Sequence, residues 1–121
     1  SFYEWRRQNE YKPILIETPL VSEKYKYGGT IDSYGILNGK KAIVDLKTGK
    51  AIYEEYIYQL AAYKTLLQEH GHEVEECWIL RIGRDANEGF DSTKRTYLDN
   101  HWAVFLNLLN IYNLQKLIKG A

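Results

Sequence analysis

The sequence predicts a three-layer α/β sandwich whose mixed central sheet combines an antiparallel hairpin meander with one parallel strand, flanked by helices. Three observations predict it. Asn38-Gly39 separates two strand-like runs, and this dipeptide suits a type I′ turn, in which both central residues need positive φ. Glu54 to His70 then carries Tyr56, Leu60, Tyr63 and Leu67 at helical spacing and stops at Gly71. The apolar run after it, Val74 to Gly83, returns to the sheet behind a crossover helix, which makes it parallel to an earlier strand. The 121 residues suit a single domain, 1–121, with a modest core.

Taken in order, Ser1 to Glu10 reads as a short helix capped by Ser1, with Phe2, Trp5 and Asn9 on one side. Arg6 and Arg7 are phosphate-contact candidates there, against the simpler reading of a solvated helix face. Lys12 to Ser22 is a strand with Ile14, Ile16 and Thr18 on one side, and Pro13 and Pro19 confine it to an edge or to the strand's ends. Glu17 is the one acid in that run. Glu23 to Tyr27 turns into the hairpin, where Gly28-Gly29 permits unusual backbone angles or close approach of a ligand. Thr48-Gly49-Lys50 leads out of it. Tyr53, Tyr56 and Tyr58 at the crossover helix's entrance are candidates for stacking on unpaired bases. Cys77, Trp78, Ile79, Leu80 and Ile82 form a run too apolar for a free edge, with Arg81 and Arg84 at its polar end. Asp85 to Asp91 is a polar loop, and Ser92 to Leu98 a short last strand bearing Lys94 and Arg95. Asp99 caps a long amphipathic helix, Asn100 to Lys119.

The hairpin carries the chemistry. With Asn38-Gly39 as its loop, Leu37 pairs with Lys40, Asp32 faces Asp45, and Thr30 faces Lys47. Alternation then puts Asp32, Asp45 and Lys47 on one face and Ile31, Leu37, Ala42, Val44 and Leu46 on the other, the core side. Facing carboxylates repel. A divalent cation between them is the simplest remedy, and hard oxygen ligands suit Mg²⁺ or Mn²⁺. Lys47 beside them suits an anionic substrate or a positioned water. The bland alternative is an exposed hairpin whose charges are solvated, with Lys47 bridging both acids. A slip of one residue would send the two acids to opposite faces.

G-G-T-I-D at Gly28 to Asp32, D-L-K-T at Asp45 to Thr48 and Q-L-A-A-Y at Gln59 to Tyr63 resemble, in that order and spacing, the RecB-like branch of the PD-(D/E)XK nuclease superfamily. The resemblance implies a restriction-endonuclease-like fold and a metal-dependent DNA nuclease that hydrolyses phosphodiester bonds, nearest to exonucleases of recombination, repair or phage type. It implies Asp32, Asp45 and Lys47 as catalytic residues. One or two Mg²⁺ or Mn²⁺ ions would be held by Asp32, Asp45 and the backbone carbonyl of Leu46, with Glu17 as a candidate accessory acid. Gln59 and Tyr63, four residues apart on one helix face, would position the substrate. The implied partner is DNA, single-stranded or at duplex ends; a homo-oligomer or a larger recombination or repair complex is the protein-level counterpart. Relatives often carry an upstream helix that adds a His or Glu to the site. The chain contains no methionine, which suggests a processed, excised or engineered piece that begins after such a helix.

Composition narrows the alternatives. Hydrophobic residues make up 45% and charged residues 26%, ordinary for a soluble globular protein. No apolar run reaches transmembrane length and no signal-peptide pattern opens the chain, so an intracellular protein without a membrane partner is expected. Cys77 is the single cysteine, which excludes an internal disulfide and a four-cysteine iron–sulfur cluster. His70 and His72 make no acyl-transfer constellation with it, so it reads as a buried structural thiol, and His101 reads as structural. Formal net charge is zero, so nucleic-acid affinity must come from a local patch. A phosphate-cradling loop at Gly35 to Lys40 fails, because it is one residue short and lacks Ser or Thr after the lysine. The rival function is a catalytically inactive nucleic-acid-binding or scaffold domain that retains the nuclease fold; intact Asp32, Asp45 and Lys47 argue against it. A small-molecule metallohydrolase would need an apolar pocket beside the acids.

Overall fold

Asn38 and Gly39 take φ of 50° and 83°, the pair of positive angles that a type I′ turn requires. They join β2 (Tyr27–Leu37) to β3 (Lys40–Thr48), and the ladder runs from Leu37↔Lys40 to Tyr34↔Ile43 in the register that the turn dictates. The turn is anchored from outside as well. Asn38 Oδ1 accepts the Glu10 N–H at 2.8 Å and Asn38 Nδ2 donates to Asn9 Oδ1 at 2.8 Å. That ties it to the end of α1 (Phe2–Gln8), which starts in a capping box between Ser1 and Glu4.

The structure, a computed structural model, describes residues 1–120. β1 (Tyr11–Ser22), α2 (Glu54–Glu69), β4 (Glu76–Ile82), β5 (Phe90–Arg95) and α3 (Asp99–Ile118) complete the chain. The five-stranded sheet has the order β1-β2-β3-β4-β5. Every neighbouring pair is antiparallel except β3 and β4, which run parallel from Ala42↔Glu76 to Thr48↔Ile82. α2 supplies the crossover that a parallel pair requires. β1, with its two prolines, forms one edge. No helix among the described residues is long and apolar enough to cross a membrane.

The core has two halves, one on each face of the sheet. Trp5 of α1 packs with Leu37, Ala42, Val44 and Leu80. On the opposite face Ile57, Leu60, Ala61 and Leu67 of α2 pack with Ile31, Tyr34, Ile43, Cys77 and Ile79. α3 joins that second layer through Leu98 and Trp102, giving helix, sheet and helix pair as three layers.

Several local expectations change. The hairpin has no solvated face: with α1 and α2 on either side, Ala42, Ile43, Val44 and Asp45 are all buried. Ile14 and Ile16 are 55% and 62% exposed, while Leu15 and Leu20 pack on the core. An irregularity between Pro13 and Leu15 shifts the register there, which inverts the alternation. Leu46, expected in the core, is 47% exposed. β5 lies earlier than Ser92 to Leu98, and α3 begins at Asp99 with Leu98 at the N-cap and no side-chain cap. Leu98 is buried instead, so packing rather than capping fixes that helix start. No residue of α3 is fully buried. Its first turns pack against Tyr27, whose ring lies 6.1 Å from Trp102 and 4.9 Å from Phe105.

Candidate active site

β3 is central to the sheet, and its inward alternation on the α2 side is Ile43, Asp45, Lys47. A carboxylate on that side is carried into the core. Asp45 is 1% exposed, and its Oδ2 is buried without accepting a hydrogen bond. Lys47 Nζ lies 3.2 Å from that oxygen, close enough for an ion pair but off the hydrogen-bonding direction. Burial and the nearby Asp32 carboxylate outweigh the Lys47 ammonium and push the Asp45 carboxyl up to about 7.

Asp32 reaches the site from a fault in β2. Ile31 and Tyr34, three residues apart, both pack in the α2-side cluster, so the alternation slips once between them. The β2–β3 ladder ends at Tyr34↔Ile43, and beyond it Asp32 Oδ2 accepts the Leu46 N–H at 3.2 Å in place of a backbone acceptor. Along a strand the N–H and C=O of one residue lie on the same edge, so the Leu46 carbonyl opens onto this gap too. Asp32 therefore does not share a clean face with Asp45 and Lys47: it sits in the split between the strands and also lines a cleft on the α1 side. Thr30 has no ladder partner in β3.

α2 brings the other side of the site. Gln59 Oε1 accepts from Lys47 Nζ at 2.6 Å, and the same ammonium lies 5.1 Å from the centre of the Tyr56 ring. Lys47 is thus aimed by three neighbours, one of them, Tyr56, a contact that sequence spacing did not assign to the site. Its signal was present, since Tyr56 lies one helical turn before Gln59. Burial and the charges of Asp45 and Asp32 push the Tyr63 phenol up to about 12. Gly29 makes room for this ring: a Cβ there would lie 2.7 Å from Tyr63 Cε1. Tyr27 clamps the same region, its hydroxyl donating to the Ala62 carbonyl at 2.6 Å.

Glu17 stands at the register position opposite Asp32, between Ile16↔Ser33 and Thr18↔Ile31. It is exposed, with φ of 44° in the left-handed region. Together with Arg6, Asp32 and Leu46 it lines the α1-side cleft, a cavity of about 450 Å³. No group of three or more His, Cys, Asp or Glu side chains gathers at metal-ligating distance among the described residues, so Asp32 and Asp45 stand as a pair. The Asp45 oxygen without a hydrogen bond, the Asp32 carboxylate in the strand split and the Leu46 carbonyl are all oxygen donors, the chemistry that suits a hard divalent cation.

Other charged, aromatic and thiol side chains lie elsewhere. Arg81, beside Lys47 in the sheet, is 3% exposed and donates to Asp91 at 2.9 and 3.1 Å and to the Gly49 carbonyl at 2.8 Å. Lys94 lies at the far sheet edge, 3.6 Å from Glu76 and over the Trp78 ring. Tyr53 packs edge-on to Tyr56, whereas Tyr58 turns toward α3 beside His101. Cys77 is buried, and that burial pushes its thiol up to about 12.

No family model and no curated protein matches the chain. Among solved structures it is similar to the crystal structure of a "Putative exonuclease" from Eubacterium rectale, with a TM-score of 0.59 and 20% sequence identity over 87% of this chain and 44% of that one. The chain therefore spans less than half the length of this neighbour. The likeness is one of fold: a three-layer α/β sandwich on a mixed five-stranded sheet, consistent with restriction-endonuclease-like architecture.

Proposed function

We propose that this chain is the catalytic core of a metal-dependent DNA nuclease, an exonuclease acting at strand ends. One observation carries the reading: a buried carboxylate, Asp45, keeps an oxygen without a hydrogen bond beside a second carboxylate and a lysine held in place by Gln59. Burying like charges together in a small core costs free energy, and a site retains them where function needs them. The exonuclease name of the structural neighbour supports the same reading.

Asp32, Asp45 and the Leu46 carbonyl would hold Mg²⁺ or Mn²⁺. Such an ion supplies Lewis acidity, polarising the phosphate and making a nearby water more acidic. The protein's own groups do the rest. Lys47, fixed by Gln59 and Asp45, puts a positive charge where the phosphorane oxygens gain negative charge as water adds to phosphorus and the ester P–O bond breaks. Tyr63, protonated throughout the working pH range, donates a hydrogen bond to a phosphate oxygen and orients the strand. Tyr56 places an aromatic wall under the lysine and limits water around it.

End-labelled single- and double-stranded DNA incubated with Mn²⁺ tests this. The wild type is expected to cleave only with metal, Asp45→Ala and Lys47→Ala to lose at least a hundredfold, and the product ladder to shorten from an end. Mn²⁺ should also raise the melting temperature of the wild type at pH 8 but not that of Asp45→Ala. An inert scaffold would show neither cleavage nor an Asp45-dependent metal shift.

A further inference from the structure

A groove of about 390 Å³ runs between α2 and α3 and opens beside the candidate site, because Gln59 and Tyr63 line both. Its walls are largely apolar and aromatic, with Tyr58 on α2 and Leu108 and Tyr112 on α3. Glu55 is its one charged lining residue. An acid in the wall disfavours a phosphate backbone there, while a neutral, flat ring with a polar edge suits tyrosine faces. The positive charge that a phosphate needs lies just outside the groove, on Lys47, which donates to the lining residue Gln59 at 2.6 Å. A chain with phosphates at one edge and flat rings at the other matches this division.

We infer that the α2–α3 groove is a subsite for an unpaired nucleobase of the strand whose phosphate sits at Lys47, so that the substrate is single-stranded DNA or a frayed end. The inference rests on the nuclease reading for the identity of the strand. A base paired in a duplex has both faces covered by its neighbours in the stack and cannot enter. Leu108 and Tyr112 are 48% and 57% exposed, so they offer surface to a ligand and can be changed without loss of core.

The test is fluorescence anisotropy in EDTA with a labelled deoxythymidine 12-mer and a blunt hairpin duplex, paired with Mn²⁺ cleavage of the same DNAs. The wild type is expected to bind the single strand at least tenfold more tightly than the duplex. Tyr112→Ala and Leu108→Glu should each weaken single-strand binding about tenfold and leave duplex binding unchanged. Unaltered single-strand affinity in both variants overturns the subsite. If cleavage still requires Asp45 and Lys47 in that case, the nuclease reading survives without it. Groove-dependent binding by a wild type that cleaves nothing supports the base subsite and refutes the nuclease. Sedimentation separates the remaining occupant: Tyr112→Ala turning a dimer into a monomer with single-strand affinity intact would assign the groove to a second copy of the chain and overturn the proposal.

Discussion

Asp45→Asn should stabilise the protein most at alkaline pH and by roughly two-fifths as much at pH 5, where the unfolded carboxyl is already ionised. The folded carboxyl titrates at about 7 against an ordinary value of 3.8, raised first by burial and then by Asp32. A raised acid binds its proton more tightly folded than unfolded, so between those two values the native state holds more protons and stability falls as pH rises. That loss is complete once pH passes the folded value near 7. The span corresponds to about 4 kcal/mol. Part is recovered when the ionised site draws in water, leaving about 2 kcal/mol as the gain expected from Asp45→Asn at pH 8. At urea slopes of about 1–3 kcal/mol per molar, the midpoint should move by about 1 M. Trp5, Trp78 and Trp102 report unfolding by fluorescence, measured at pH 5 and pH 8 in EDTA. The wild type should lose stability from pH 5 to pH 8 relative to the variant. A wild-type-to-variant difference that is equal at both pH values would refute the reasoning, as would a variant less stable than wild type at pH 8.

Three further outcomes follow from the packing. Gly29→Ala would place its Cβ 2.7 Å from Tyr63 Cε1; about 1–3 kcal/mol should be lost to overpacking, and the double variant with Tyr63→Leu should recover much of it in urea titrations. Arg81→Met removes a buried guanidinium bonded to Asp91 and to the Gly49 carbonyl. Because Asp91 is half exposed and can be rehydrated, the loss should be about 2 kcal/mol, read from the thermal midpoint. Cys77, buried and with its thiol pushed up to about 12, should resist a chromogenic disulfide reagent for hours at pH 8 in the native protein and react within seconds in urea.

What the sequence made legible was local chemistry. Asn38-Gly39 determined turn type and register because its backbone angles depend on two residues alone. The parallel β3–β4 pair followed from the crossover helix between the two strands. The association of Asp45 with Lys47 was legible from strand alternation, whereas Gln59 came to them only through the resemblance carried by its Q-L-A-A-Y run. Faults in alternation were not legible. The slip between Ile31 and Tyr34 and the shift at Pro13 depend on how neighbouring strands accommodate each other, and neither leaves a periodic trace in its own segment. Pattern alone also gave the hairpin one buried face, whereas α1 seals the second through Trp5. The packing of Tyr63 against Gly29 was not legible either, because the two lie thirty-four residues apart in the chain.

The carboxylate that closes the β2–β3 split has a consequence for hydrogen exchange. Backbone amides within the Tyr34–Ile43 ladder exchange only when the sheet opens, but the Leu46 N–H is held by a side chain, Asp32. Rotation of one Asp32 torsion exposes it without any strand moving. The Leu46 amide is therefore a single-residue gauge of where the Asp32 carboxylate points, sensitive to whatever draws that carboxylate aside while the surrounding sheet stays closed.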